Sequence, residues 1–564
     1  MLYIEYFYRW KQHPQLTDDL DKQEELHTAC SKLALEAIDK KLPLRKKFAH
    51  KVIGKSLFQL AREVGWLNLV YKDAETGEDV YAFFHLTFQE YFAACAINDW
   101  HFFLNHFPDN PMQGNYRIFE PQWKEVFLLW LGREGNKDFS QQKERFIRAL
   151  IEFKDGCFEL IIRNYGFYEY RAYFLAAAGI SEFRECSCAD EIVKQLVNWS
   201  FGEFNVRYQV QQPFVHRQIA EGAKVTLLDT HHSLAVNALI GFLHTRVDDY
   251  TRIEAAEILG KIDPGHPEAI SSLIEIMHNS SEWSWQAVRS LGKIGKGSQE
   301  AIAALVDLLH RIRANSDEFA TRVEVASSLS QIDPGHPEAI PVPEYSGLYC
   351  PMFQELVRLG QIQPNNPEWI MALVDQVRSN PTDAREEFNR RWALQHLKAS
   401  HTIAPEASSA LIDLIRSNPD EDTLREAVRS LGRIGKSDPE AIDLLIDLSY
   451  NSPNWVISEI AIQGLSYTDT SHEKVINALI ELIRISPNQQ IHIDAAQSLG
   501  QILQRYPLGL AVSALKNTLP AQINNKNDLF LYLKCYYVLL DCSQTMPYPD
   551  FYQAWHQTAI HYRG

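Results

Sequence analysis

Two kinds of residue in this chain have types and spacings that could do chemistry. The first is the tripeptide Gly-Lys-Ser, at Gly54-Lys55-Ser56 and Gly435-Lys436-Ser437. It is the ending of the phosphate-cradling loop G-x-x-x-x-G-K-[ST]. The leading glycine that such a loop needs is replaced by Ala49 in one copy and Ser430 in the other. Neither copy follows a strand, so neither presents a ring of backbone N–H groups to a phosphate. The chain is therefore not expected to hydrolyse nucleotide by that machinery. The second is cysteine. Cys186-Ser187-Cys188 suggests a metal, but no partners at ligand spacing accompany it, and packing is the plainer reading. Cys535 and Cys542 lie seven apart on one helix face, with His556 and His561 downstream. Structural zinc pairs usually sit two to four apart in a turn. A helical cap over the end of the chain is expected there instead, and neither a metal nor a cofactor is expected of the chain itself.

The chain has 564 residues, a net charge of −17, 46% hydrophobic and 23% charged residues. That length fits several domains or one long array. The charge gives no drive toward nucleic acid or anionic lipid. No run of about 18 apolar residues marks a membrane span. Eight cysteines are too sparse for a disulfide scaffold, and a reducing cytoplasm is the expected compartment.

Val80–Asp99, VYAFFHLTFQEYFAACAIND, reads as a strand running into a helix. Tyr81, Phe83 and His85 alternate with Val80, Ala82 and Phe84. Thr87 is the expected N-cap, with Glu90 completing a capping box and Leu86 and Tyr91 a hydrophobic staple. Phe88, Tyr91, Phe92 and Cys95 share one helix face. F-x-H-x-T-F-Q-E-Y-F-A-A closely resembles the end of the winged-helix subdomain in NACHT-type signalling NTPases, relatives of the NOD-like receptors within the STAND class. The resemblance is to a bacterial member of the cyanobacterial kind. In that family the ATPase core precedes this motif and a repeat array follows it. The resemblance implies that this chain is the C-terminal portion of such a protein, with the core supplied in trans or upstream. It also implies that His85 contacts the β-phosphate of bound ADP when a core is present. On the residues alone, His85 ends a strand and bonds within its own subdomain.

The apolar Leu2, Ile4, Phe7 and Trp10 at the start resemble the helical segment that follows the NTPase core. Helices are expected over roughly 22–40 and 57–64. Two strands, Gly65–Tyr71 and Val80–His85, then flank the acidic loop KDAETGED. Helices followed by a two-stranded wing make a winged helix. Winged helices often bind DNA, and Lys40–Lys55 is basic. The wing carries Asp73, Glu75, Glu78 and Asp79, which repel phosphate, so nucleic acid is not an expected partner. Residues 100–229 are rich in aromatics, with Trp123, Phe127 and Trp130 on one face. A packed helical linker domain is expected there.

From residue 230 to 505 a repeat appears. A-x-x-x-L-G closes one helix and P-E-A-I opens the next. The glycine position falls at Gly260, Gly292, Ser330, Gly360, Lys398, Gly432, Ser466 and Gly500. Seven residues after each comes a helix start: Pro267, Gln299, Pro337, Pro367, Pro405, Pro439, Glu473 and Pro507. Each unit is a helix pair, for example Pro267–Asn279 and Trp283–Ile294. One helix carries Ile270, Leu273, Ile274 and Met277, the other Ala287, Val288, Leu291 and Ile294. Neither face can be buried alone, so units must stack into a solenoid. The array looks like short bacterial HEAT repeats. Pro341 and Pro343 break one unit and mark a bend or loop. In deoxyhypusine hydroxylase, a HEAT protein, His-Glu pairs on repeat helices bind two irons. Here the only His-Glu is His472-Glu473, in an inter-helix turn, so that site has no ligands.

The expected fold is mostly α: a winged-helix segment with a small β-hairpin over 1–99, a helical linker domain over 100–229, a HEAT-repeat α-solenoid of about eight units over 230–505, and a helical cap over 506–564. The expected function is a non-enzymatic sensor and regulatory module of a NACHT-type NTPase, binding a protein ligand on the concave HEAT surface. The alternative is a free-standing HEAT scaffold or a phycobiliprotein lyase-like assembly factor.

Overall fold

A computed structural model describes residues 19–157, 166–205, 210–212, 217–245, 247–280, 283–313, 319–333, 405–468, 473–486, 509–519 and 526–556, with scattered positions elsewhere. Among the described residues the protein is mostly α-helical, with one small three-stranded sheet and one two-stranded ribbon. It divides into two compact units, residues 1–156 with 168–341, and residues 157–167 with 342–564.

The first unit begins with α1 (Leu20–Lys40), β1 (Leu44–Arg45), α2 (Lys46–Glu63), β2 (Leu67–Lys72), β3 (Asp79–Phe83) and α3 (Leu86–Ala96). All strand pairs are antiparallel, in the order β1-β3-β2. α2 is two helices joined at Gly54, whose φ of 78° lies in the left-handed region that a side chain resists. The sequence reading found only its second half, because the basic residues before Gly54 hide the apolar period of Ala49 and Ile53. β1 was also missed, being two residues long. Buried Trp66, Phe83 and Phe92 interlock beneath the sheet, with ring centroids 5.0 Å and 5.6 Å apart.

Next come α4 (Lys124–Gly132), α5 (Lys137–Ile151), α6 (Phe167–Glu182), α7 (Ala189–Phe201), the ribbon β4 (Glu203–Asn205) and β5 (Val210–Gln212), and α8 (Arg217–Asp229). Trp123, Phe127 and Trp130 are buried together, as their spacing predicts. Trp130 donates from Nε1 to the carbonyl of Ile97 at 2.9 Å. Arg133 donates to the carbonyls of Ala94 and Ile97, both at 2.8 Å. The open C-terminal carbonyls of α3 are thus satisfied by the segment that follows.

The repeats follow in pairs: α9 (His232–Leu243) with α10 (Asp249–Ile262), α11 (Pro267–Asn279) with α12 (Ser284–Ile294), and α13 (Gln299–Arg313) with α14 (Phe319–Ile332). The second unit holds α15 (Pro405–Arg416) with α16 (Glu421–Ile434), α17 (Pro439–Asn451) with α18 (Trp455–Leu465), and then α19 (Glu473–Ile485), α20 (Gly509–Thr518), α21 (Lys526–Thr545) and α22 (Tyr548–His556). Five starts predicted from the repeat spacing, Pro267, Gln299, Pro405, Pro439 and Glu473, are the first residues of α11, α13, α15, α17 and α19. Pro337, Pro341, Pro343, Pro367 and Pro507 lie outside the described residues. Each repeat start is built by short-range chemistry. His266 and Asp438 cap the helix while proline takes the first position, where its missing N–H is not needed. In α11 the buried face is Ile270, Leu273, Ile276 and Met277, so Ile276 replaces the expected Ile274.

The second helices of neighbouring repeats approach at their small residues. A Cβ added at Gly292 would lie 3.0 Å from the Ser328 Cα. One added at Gly432 would lie 2.5 Å from the Gly464 Cα.

Candidate functional site

His85 occupies the joint between β3 and α3. It is itself the N-cap, which corrects the expectation of Thr87 in that role. The backbone turns one residue pair earlier than the capping box suggests, and the strand ends at Phe83 rather than His85. The N–H of Thr87 donates to His85 Nδ1 at 3.3 Å, and Thr87 Oγ1 lies 2.6 Å from the same nitrogen. A backbone N–H can only donate, so Nδ1 is the accepting nitrogen and Nε2 is the nitrogen left to donate. His85 is exposed, and among the described residues Nε2 has no protein partner. Sequence and cap together thus leave an N–H donor at the positive end of a helix, where an anionic group is favoured. The expected Leu86–Tyr91 staple does not form. Leu86 is exposed, and the contact is made instead by Phe84 and Phe88, 6.1 Å apart.

Part of the basic stretch meets the wing acids. Arg45 donates to Asp73 at 2.8 Å, the N–H of Lys47 donates to Glu78 at 2.6 Å, and Lys46 lies 3.6 Å from Asp79. Backbone and side-chain hydrogen bonds from Thr76, then Arg45, hold the Asp73 carboxyl down at about 2. Arg45 and Lys46 are thus directed toward the wing acids.

Gly54 is a helix kink and Gly435 a helix C-cap, its N–H bonded to the Leu431 carbonyl at 2.8 Å. His472 lies outside the described residues.

The cysteines singled out by the sequence fall into two sites. Cys186 and Cys188 occupy the turn between α6 and α7, both buried, with their Sγ atoms 3.3 Å apart. Glu144 of α5 reaches this turn: the Ser187 N–H donates to Oε2 at 3.2 Å, and the Ser187 hydroxyl donates to Oε1. Burial pushes the Cys186 thiol up. Although burial opposes it, hydrogen bonds from Ser187 and the charge of Arg148 hold the Glu144 carboxyl below its usual range. Sequence reasoning saw the two cysteines and missed Glu144, which lies 42 residues before Cys186. At the far end, Cys535 and Cys542 are buried on α21, and burial pushes the Cys542 thiol up to about 12. His556 ends α22 and packs on the ring of Tyr552 at 4.2 Å. His561 lies outside the described residues.

With this geometry in place, two protein families match parts of the chain. Residues 236–313 and 370–466 match HEAT repeats. Residues 528–556 match the family described as "NACHT C-terminal Cysteine and Histidine-containing", a stretch that includes Cys535, Cys542 and His556. The chain is thus mostly helical and carries HEAT repeats, and residues 528–556 are similar to a segment described for the C-terminus of NACHT proteins. No curated protein matches it. A solved structure titled "Crystal structure of Kap121p" is similar over 74% of this chain and 44% of that one, at 12% identity and a TM-score of 0.23. The chain spans less than half of that neighbour. No helix among the described residues is long and apolar enough to cross a membrane.

Proposed function

We propose that this chain is a non-catalytic sensor and regulatory module of a NACHT-type signalling NTPase of the cyanobacterial kind. The observation that carries the reading is the NACHT C-terminal match at residues 528–556, which lies C-terminal to the HEAT repeats. The order helix, strand, paired helices and two-stranded wing supports a winged helix over the first hundred residues. In this reading the HEAT repeats bind a protein ligand on their concave face. The linker passes that event to the winged helix, where His85 holds the nucleotide of a P-loop core contributed from outside the residues described above. Its Nε2–H donates to a phosphate oxygen and favours the closed, ADP-bound state. Ligand binding then shifts the balance toward release. The work is done in the cytoplasm.

The test is ADP release from a NACHT-type core loaded with fluorescent ADP, with and without this chain. The chain is expected to slow release. A hydrogen bond to a charged phosphate contributes roughly 1.5–3 kcal/mol, so His85→Ala speeds release about tenfold to a hundredfold. If the chain leaves ADP release unchanged, this reading falls and a free-standing HEAT scaffold takes its place.

A further inference from the structure

We propose that Glu144, Cys186 and Cys188 form a binding site for a thiophilic divalent cation, zinc foremost. It would staple helix α5 to the α6–α7 turn. Among the described residues this is the one group of three such side chains whose ligand atoms converge, all within 4.8 Å of one another. The sulfurs are 3.3 Å apart. Two sulfurs at about 2.3 Å from one tetrahedral ion stand about 3.8 Å apart, so each has only a few tenths of an ångström to move.

The turn is already shaped for this. The Cys186 N–H bonds to the Phe183 carbonyl at 3.2 Å and the Ala189 N–H to the Cys186 carbonyl at 3.3 Å, which turns both side chains to one side. Cys188 caps α7, so its sulfur sits at the positive end of a thirteen-residue helix. Ser187 holds both carboxylate oxygens of Glu144. Arg148, 3.5 Å from Glu144, balances the surplus negative charge that two thiolates and a carboxylate leave on a divalent ion. Both sulfurs are buried, whereas the Glu144 side chain is 26% exposed. Solvent therefore reaches the site from the carboxylate side, and a water takes the fourth position. On binding, each thiol gives its proton to solvent and a sulfur–metal bond replaces the S–H bond. No electron changes hands.

The test uses the full chain, reduced and stripped of metal, titrated with Co²⁺ and then competed with Zn²⁺. Wild type is expected to show a thiolate-to-cobalt charge-transfer band that saturates at one ion per chain and disappears with zinc. Cys188→Ser removes the band. Glu144→Gln weakens binding by roughly tenfold to a hundredfold. Cys542→Ser leaves it intact and so separates this site from the buried C-terminal cysteines. Circular dichroism of each variant distinguishes lost binding from lost folding. No band in folded wild type overturns the proposal. So does a band that survives in Cys188→Ser, or a Cys186–Cys188 disulfide that resists reduction in the native chain.

Discussion

Two stretches of the first unit hold together by opposite means. Between Asp99 and Phe153 the core is a cluster of large rings. Phe103, Trp130 and Phe146 are fully buried, with centroids 5.8–5.9 Å apart, and Phe139 packs on Trp130 at 5.0 Å. Between Asp248 and Ile332 the core is aliphatic, and the second helices meet at Gly260, Gly292 and Ser328. The ring cluster gains stability from area, because each aromatic side chain covers a large apolar surface. The repeat gains it from closeness, because a missing Cβ lets neighbouring helices touch along their backbones. Deleting atoms should therefore damage the first region most, and adding them the second.

The largest effect is expected at Trp130. It is fully buried, and its indole N–H is spent on the Ile97 carbonyl at the end of α3. Trp130→Ala removes the ring and leaves that carbonyl one donor short. A loss of about 3–5 kcal/mol is expected in chemical denaturation. Trp130→Phe keeps most of the ring area and should recover more than half of it. If both variants cost the same, the hydrogen bond and not the packing dominates, and the contrast between the two regions is wrong.

The next effect turns on adding one methyl group. Gly432 and Gly241 both lie inside helices. At Gly432 a new Cβ meets the Gly464 backbone at 2.5 Å, and backbone cannot swing aside. At Gly241 nothing lies within 4 Å. Gly432→Ala should destabilise by about 1–3 kcal/mol through overpacking. Gly241→Ala should stabilise by about 0.4–1 kcal/mol, since alanine loses less chain entropy in a helix. Opposite signs in two thermal melts are the expected result. Equal signs would mean that helix propensity, not the close approach, sets the role of these glycines.

The repeat was legible because its signals are local. Proline after a capping residue, and a small residue at each helix end, are short-range rules, and they placed Pro267, Pro405 and Pro439 at helix starts. The aromatic face of Trp123, Phe127 and Trp130 was legible for the same reason. The cap of α3 was misread because two adjacent solutions compete. Thr87 has the better capping side chain, but Phe84 turns away from the buried ring set, so the strand stops early and the imidazole of His85 takes the cap. The Glu144 cluster was not legible at all. Glu144 looks like one more polar residue on an amphipathic helix until the chain brings Cys186 back to it. Short-range chemistry is written in spacing, whereas convergence across 42 residues is written only in the fold.

The smallest effect lies at the tip of the wing, where the chain turns through Asp73 and Gly77. There the tip is fixed by charge. Asp73 accepts from the N–H groups of Glu75 at 3.1 Å and Thr76 at 2.9 Å, and from Arg45. These bonds favour the ionised form and hold its pKa at about 2, below the value of about 3.9 expected in an unfolded chain. A group with a lowered folded pKa contributes stability that is present above the unfolded value and is lost as pH falls through the folded one. The contribution of Asp73 should therefore be complete above about pH 4 and gone below about pH 2. Other carboxylates titrate in the same range. The readout is therefore the difference in melting temperature between wild type and Asp73→Asn, in which those shared contributions cancel. The difference should be constant from neutral pH down to about pH 4 and should close as the pH approaches 2. A gap that persists unchanged at the acid end would show that the wing is held by the shape of the Asp73 side chain rather than by its charge. The tip would then resemble the repeat, where fit and not charge decides.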